Sequence, residues 1–141
     1  MDKLHFSFEV EGNDFVAAGE ASGEVKRALR QIGIDFETIR RCSICMYEGE
    51  INMVVHADGG KADVYVEKDK ITIVLEDRGP GISDMELAMQ EGYSTASQDV
   101  RELGFGAGMG LPNMKKYSDS LVIDSVVGEG TKVTMIINMP H

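Results

Sequence analysis

Residues Glu76 to Gly110 read EDRGPGISDMELAMQEGYSTASQDVRELGFGAGMG and contain two glycine-rich turns. The first turn follows an apolar run that ends on Glu76 and Asp77, and the second carries glycine at alternate positions from 104 to 110. Glycine lets the backbone approach a ligand closely. Backbone N–H groups at the start of a helix attract phosphate. The stretch therefore predicts one nucleotide held between the two turns.

The length and charge of the chain exclude several classes of protein. A chain of 141 residues predicts one domain, spanning residues 1–141, with a single core. A formal charge of −10 argues against nucleic acid as a partner, because nucleic-acid binders carry a basic surface. There is no long apolar stretch to span a membrane and no signal-peptide pattern at the start. We therefore expect a cytoplasmic protein without a membrane partner.

The periodicity of apolar residues predicts alternating strands and amphipathic helices. Helices are expected from Phe15 to about Gly33, with Gly19 and Gly23 inside, and from Thr38 to Ala57, where Asp58-Gly59-Gly60 stops the helix. Further short helices are expected at 84–91 and 111–117, with a mobile loop at 92–103. Strands are expected at 4–10, 61–67, 70–76, 120–126 and 131–138. The fold class is therefore α/β (α+β), a two-layer α/β sandwich with a mainly antiparallel sheet and helices on one face.

The second predicted helix carries polar side chains at helical spacing. Glu48, Asn52 and His56 are four residues apart and share one face of that helix. A carboxamide oxygen suits Mg²⁺, and a carboxylate can accept a proton from an attacking nucleophile. Such a pattern is more often a solvated helix face. The two glycine turns downstream favour a functional site.

The order of these motifs resembles the GHKL ATP-binding superfamily. The matching boxes are Glu48-x-x-x-Asn52, Asp77-x-Gly79-x-Gly81, the glycine run, and Gly128-x-Gly130-Thr131. The chain is most similar to the short anti-sigma-factor serine/threonine kinases, in particular the stressosome switch kinase group.

The resemblance implies a role for each matching residue. Glu48 would be the general base, Asn52 would hold Mg²⁺, and Asp77, assisted by Thr131, would bind the adenine amino group. His56 and Lys115 would contact phosphate, although His56 could instead bind the last helix carbonyls and Lys115 could simply be a cation near a helix end. The remaining nucleotide-binding positions implied are Gly79, Gly81, Ile82, Ser94, Thr95, Gly104, Gly106, Gly108, Gly110 and Leu111.

The resemblance also implies the reaction and the partner. The cofactors are ATP or ADP with Mg²⁺, and the γ-phosphoryl group would pass to a serine or threonine of an anti-sigma-factor antagonist, a small STAS-type domain. The alternative is a non-catalytic binding module that ATP or ADP switches, holding a sigma factor or another regulator. Whether the chain forms a homodimer stays open.

Two cysteines, Cys42 and Cys45, have the spacing of metal and redox motifs. No second Cys/His pair is available to complete a zinc site. On a helix the two side chains share a face, so packing in the core is the favoured interpretation. A redox or iron contact is the minority hypothesis.

Overall fold

The computed structural model describes residues 4–12, 18–56, 59–79 and 110–140, with only the backbone described for Val55 and His56. Its strands are β1 (Leu4–Glu11), β2 (Gly59–Val66), β3 (Lys70–Asp77), β4 (Ser120–Val126) and β5 (Gly130–Asn138). Its helices are α1 (Glu20–Gln31), α2 (Phe36–His56) and α3 (Gly110–Tyr117).

The five strands form one antiparallel sheet in the order β1-β2-β3-β5-β4. Alternate side chains of β2, β3 and β5 are buried, so one face of the sheet packs into the core. The core between sheet and helices is formed by apolar side chains from both layers, among them Val25, Leu29, Met46, Val64, Ile73, Met114, Met135 and Ile137. The predicted two-layer sandwich is confirmed.

The opposite face of the sheet carries many charged and polar side chains. One row across all five strands reads Glu9, Lys61, Glu76, Lys132, Asp124, because these residues are successive cross-strand partners. Opposite charges on neighbouring strands stabilise a sheet by roughly 0.2–1 kcal/mol per pair. This alternation keeps the face without helices compatible with water.

Two glycines allow α2 to pack directly on the sheet. A Cβ on Gly49 would overlap the side chain of Leu75 on β3. A Cβ on Gly60 would overlap the carbonyl oxygen of Glu76 and lie 2.8 Å from Met53 Sδ and 2.9 Å from Asp77 Cα. Both positions therefore exclude a side chain, and α2 lies closer to β2 and β3 than a larger residue would permit.

The first turn of α1 is stabilised by a buried carboxylate from α2. Glu50 is 2% exposed, and its carboxylate accepts N–H groups from Gly19, Ala21 and Ser22 at 3.0–3.2 Å. These are orphan donors of a helix N-terminus, where Gly19 supplies no capping side chain. A carboxylate also interacts favourably with this end of the helix dipole.

Apart from the start of the first helix, the expected elements that fall on described residues are confirmed within about two residues. The first helix begins at Glu20, so the expected start at Phe15 is wrong. Gly19 is a correction, since it precedes α1 with φ 97° and is not inside the helix. Gly59 and Gly60 are the first two residues of β2, so they are part of the sheet as well as the end of the helical segment. The expected helix at 84–91 and loop at 92–103 lie outside the described residues. Within the described ranges, no helix is both long and apolar enough to cross a membrane.

We expect Gly60→Ala to lower the free energy of unfolding by about 2–3 kcal/mol, because the new Cβ would meet backbone atoms that cannot move aside. The matched control is Gly23→Ala, in α1, where nothing lies within 4 Å of the new methyl group. That change should stabilise the protein by roughly 0.5–1 kcal/mol. Urea titrations of both variants measure the difference, and equal stabilities would contradict the tight contact.

Candidate functional site

The last residue of β3, Asp77, is fixed by two backbone donors. Its Oδ1 accepts the N–H of Gly79 at 2.9 Å and the N–H of Thr131 at 3.1 Å. The first bond closes a turn of the kind that aspartate makes with the backbone two residues later. Among the described residues nothing bonds to Oδ2. Asp77 therefore has one oxygen that holds the fold and one that can accept a bond from a ligand.

The start of β5 lies against this carboxylate. Gly130 has φ 144°, and a Cβ there would overlap the carbonyl oxygen of Asp77. Next along β5, Thr131 is 8% exposed, and its hydroxyl lies 2.9 Å from that of Ser125 on β4. The structure thus brings Asp77 and Thr131 together, as the resemblance implied.

Helix α2 places Glu48 and Asn52 at the same end of the sheet. Gly49 lies over Leu75, and Met53 lies near Asp77. Four residues along a helix and two residues along a strand each cover about 6 Å. The two contacts therefore have the same spacing along α2 and along β3, and the two elements run side by side in the same direction. Asn52, which precedes Met53, is therefore at the level of Asp77, and Glu48 is one helical turn earlier.

Contacts with α2 set the direction of α3. Arg41 Nε donates to the carbonyl oxygen of Tyr117 at 3.0 Å, and Cys45 Sγ donates to that of Met114 at 3.8 Å. As the residue number rises along α2, it falls along α3, so the two helices are antiparallel. The C-terminus of α3 therefore lies beside Arg41, whose guanidinium suits the negative end of the helix dipole.

The opposite end of α3 lies near the polar residues of α2. Asn113 makes a side-chain hydrogen bond to Glu48, one turn beyond the pair formed by Cys45 and Met114. Gly110 and Leu111, which form the first turn of α3, are therefore at the end of the helix nearest Asn52. Backbone N–H groups of such a turn favour an anion.

Glu48 is partly buried, which favours its neutral form. Burial raises the pKa of the Glu48 carboxyl above its ordinary value, and the hydrogen bond from Asn113 acts in the opposite direction. A carboxylate with a raised pKa is a stronger proton acceptor when it is ionised. Among the described residues the site thus combines the carboxyl group of Glu48, the carboxamide of Asn52, the Oδ2 oxygen of Asp77 and the N-terminus of α3.

The structure describes the other predicted site residues only in part. Gly79 is buried behind Asp77, and Lys115 is exposed on α3. His56 is the last residue of α2, and its side chain is not described. Seven positions lie outside the described residues, namely Gly81, Ile82, Ser94, Thr95, Gly104, Gly106 and Gly108.

The two cysteines are core residues. Cys42 and Cys45 are free thiols with no exposed surface. Burial raises the pKa of each thiol to about 12, so neither forms the reactive thiolate at neutral pH. Within the described ranges, no group of three His, Cys, Asp or Glu side chains could hold a metal ion. The interpretation as core packing is confirmed.

Sequence reasoning missed two side chains that contact the predicted site residues. Asn113 follows the glycine run by one turn of a predicted helix, and Ser125 faces Thr131 across a predicted hairpin. Counting the register outward from the turn at Gly128 would have paired Ser125 with Thr131. No comparable pattern in the sequence links Asn113 to Glu48.

Known proteins resemble this chain in sequence and in fold. Residues 14–137 match the model of the histidine kinase-like ATPase domain. The chain is 31% identical over 129 residues to the serine/threonine-protein kinase RsbT of Bacillus subtilis strain 168, a match that covers 87% of each chain. It is 34% identical over 99 residues to the anti-sigma F factor of Thermoanaerobacter sp. strain X514, which covers 70% of this chain and 62% of that protein.

A solved structure has the same fold. The mycobacterial sensor histidine kinase MprB aligns with a TM-score of 0.54 and 16% identity, covering 96% of this chain and 98% of the other. At this identity the likeness concerns the fold alone. The match to the family model covers most of the chain, from before α1 to the end of β5. The chain therefore belongs to the histidine kinase-like ATPase family, and within it is similar to the serine/threonine kinases and anti-sigma factors of the RsbT and anti-sigma F type.

Proposed function

We propose that this protein is a regulatory serine/threonine kinase that transfers the γ-phosphoryl group of ATP to a STAS-type anti-sigma-factor antagonist. The observation that carries the proposal is the position of Glu48. It is a partly buried carboxylate, bonded to Asn113 near the N-terminus of α3, on the helix that also carries Asn52. Similarity to RsbT, whose name is that of a serine/threonine-protein kinase, supports the same activity.

The proposed mechanism assigns a task to each side of the site. Asp77 accepts a hydrogen bond from the adenine amino group through Oδ2, because Oδ1 is already bonded to two backbone donors. The first turn of α3 faces the phosphates and attracts their negative charge. Glu48 takes the proton of the acceptor hydroxyl, and the rest of the catalysis comes from positioning and from neutralising charge.

The donor set also suits a magnesium ion. The carboxamide oxygen of Asn52 is a hard ligand, and Mg²⁺ in such sites is bound by few protein oxygens together with the phosphates. When it is bound, the ion would neutralise charge on the triphosphate. Lys115 and His56 remain proposed phosphate contacts.

A second candidate is a binding module that ATP or ADP switches without phosphoryl transfer. Several relatives bear the name anti-sigma F factor, which favours a sigma factor as the partner. A protein that only binds has no need for a base at Glu48. This difference makes Glu48 the residue to test.

Glu48→Ala should abolish phosphoryl transfer while leaving ATP binding within about threefold of wild type, because the base contributes to the reaction and not to adenine binding. The experiment follows γ-labelled phosphate from ATP with Mg²⁺ to STAS-domain proteins of the same genome. Glu37→Ala, which removes an exposed carboxylate at the start of α2, is the matched control. Wild-type protein that binds ATP but labels none of these proteins would favour the binding module.

Asp77→Asn should lower the affinity for ATP at least about 100-fold with little loss of stability. The carboxamide oxygen can still accept the N–H groups of Gly79 and Thr131, but an NH₂ group replaces the free acceptor. Calorimetric titration measures the affinity and thermal unfolding the stability. Asp124→Asn, an exposed change on β4, is the control. Unchanged affinity in the Asp77 variant would contradict the site.

Glu48→Gln should raise the Tm at pH 7 by a few degrees. Because burial raises the pKa of Glu48 in the folded protein, ionisation destabilises the fold once the pH exceeds the ordinary glutamate value. The gain should shrink as the pH falls from the folded pKa to the ordinary value, below which both states are protonated.

The control for this shift is Glu37→Gln. A hydrogen bond from Arg40 lowers the pKa of Glu37, so its ionised form is the favoured one in the folded state. The change should therefore leave the Tm at pH 7 unchanged or slightly lower. A rise in Tm at pH 7 in both variants would contradict burial as the cause of the raised pKa of Glu48.

A further inference from the structure

Asn113 lies at the end of the first turn of α3, opposite Glu48 on α2. The two helices are antiparallel, and Cys45 Sγ donates to the carbonyl oxygen of Met114 at 3.8 Å. Glu48 is three residues beyond Cys45, and Asn113 is one residue before Met114. Both therefore lie on the same side of that contact, towards the N-terminus of α3. The hydrogen bond between Asn113 and Glu48 follows from this alignment.

The packing around this hydrogen bond holds both partners in place. Cys45 and Met114 are fully buried members of the core. At the other end of α3, Arg41 donates to the carbonyl oxygen of Tyr117 at 3.0 Å. Because these contacts fix one helix against the other, the two side chains of the bond are held at a set distance. A short asparagine side chain also loses less entropy than a lysine or a glutamine would.

A carboxamide is an uncharged donor, which suits a partner that must act as a base. Burial raises the pKa of Glu48, and the hydrogen bond from Asn113 opposes this effect, because it favours the ionised form. A lysine or arginine in its place would also favour ionisation, but the adjacent cation would make the carboxylate a weaker proton acceptor. An apolar residue would leave the effect of burial unopposed.

One hydrogen bond does not occupy the whole carboxylate. Its two oxygens offer about four acceptor positions, so the bond from Asn113 leaves room for the hydroxyl group that is to be deprotonated. A general base has to meet that hydroxyl within roughly 2.6–3.2 Å. A bond on one side of the carboxylate restricts the rotation of the Glu48 side chain, and this fixes the direction in which the remaining lone pairs point.

We propose that Asn113 is a positioning residue for phosphoryl transfer, which orients the carboxylate of Glu48 towards the acceptor hydroxyl. It acts through Glu48, and we assign it no contact with ATP or with the acceptor protein. The inference rests on the reaction proposed above and adds to it the residue that directs the base.

The test measures phosphoryl transfer from labelled ATP to the STAS-domain protein that the wild type labels, together with the dissociation constant for ATP. Asn113→Leu keeps the size of the side chain and removes the donor, so kcat should fall about 10- to 100-fold. The dissociation constant for ATP and the KM for the acceptor should stay within about threefold of wild type. Asn113→Gln keeps the carboxamide and should hold kcat within about fivefold. Lys116→Gln, at an exposed position of the same helix, is the control.

A second background separates positioning from a structural role. Glu48→Asp keeps a carboxylate, and therefore a measurable rate, but the shorter side chain withdraws it from Asn113. Adding Asn113→Leu to this variant should lower kcat by less than about twofold. A residue that only supports the fold would lower kcat by the same factor in both backgrounds, and that result would overturn the inference. An unchanged kcat in Asn113→Leu alone would overturn it as well.

Thermal unfolding shows whether each variant folds. If Asn113→Leu does not fold, Asn113→Ala, which also lacks the donor, takes its place in both backgrounds. Wild-type protein that labels no acceptor would overturn the proposed reaction and this role together. Wild-type protein that labels an acceptor, with variants that depart from the expected pattern, would overturn only the role of Asn113.

Discussion

The close approach of α2 to the sheet is the constraint on which the site depends. Gly49 and Gly60 leave no room for side chains between α2 and the strands β2 and β3. The helix therefore advances in step with β3, and Asn52 reaches the level of Asp77. A larger residue at either position would separate the two layers, and with them the polar groups that we assign to the two ends of one nucleotide.

Two glutamates on α2 have different environments and therefore different roles. Glu50 is fully buried and holds the first turn of α1 through three backbone N–H groups. Charge-assisted bonds of this kind contribute roughly 1.5–3 kcal/mol each. Glu48, two residues earlier, lies on another side of the helix and bonds to Asn113. One carboxylate stabilises the fold, and the other is available for chemistry.

The two ends of α3 are held in different ways. At its C-terminus, Arg41 binds the carbonyl oxygen of Tyr117 and the carboxylate of Asp119, which also accepts the N–H of Asn138 on β5. This network ties the helix to both α2 and the sheet. Near its N-terminus, Asn113 contacts Glu48, and Leu111 packs into the core. The start of the helix is thus coupled to the proposed base, and its far end is fixed to the scaffold.

The sequence by itself predicted the layers and the elements, because periodicity and glycine-rich turns are local signals. The resemblance to a known family then singled out Glu48, Asn52, Asp77 and Thr131. The tertiary structure decided which side chains from different elements contact one another. Glu50 caps α1 because α1 packs beside it, and Ser125 reaches Thr131 through the register of a hairpin. Asn113 meets Glu48 because α2 and α3 are antiparallel. Glu50 and Asn113 contact residues that are distant along the chain, so no local pattern encodes these two contacts. The pairing of Ser125 with Thr131 is local and follows from the turn at Gly128.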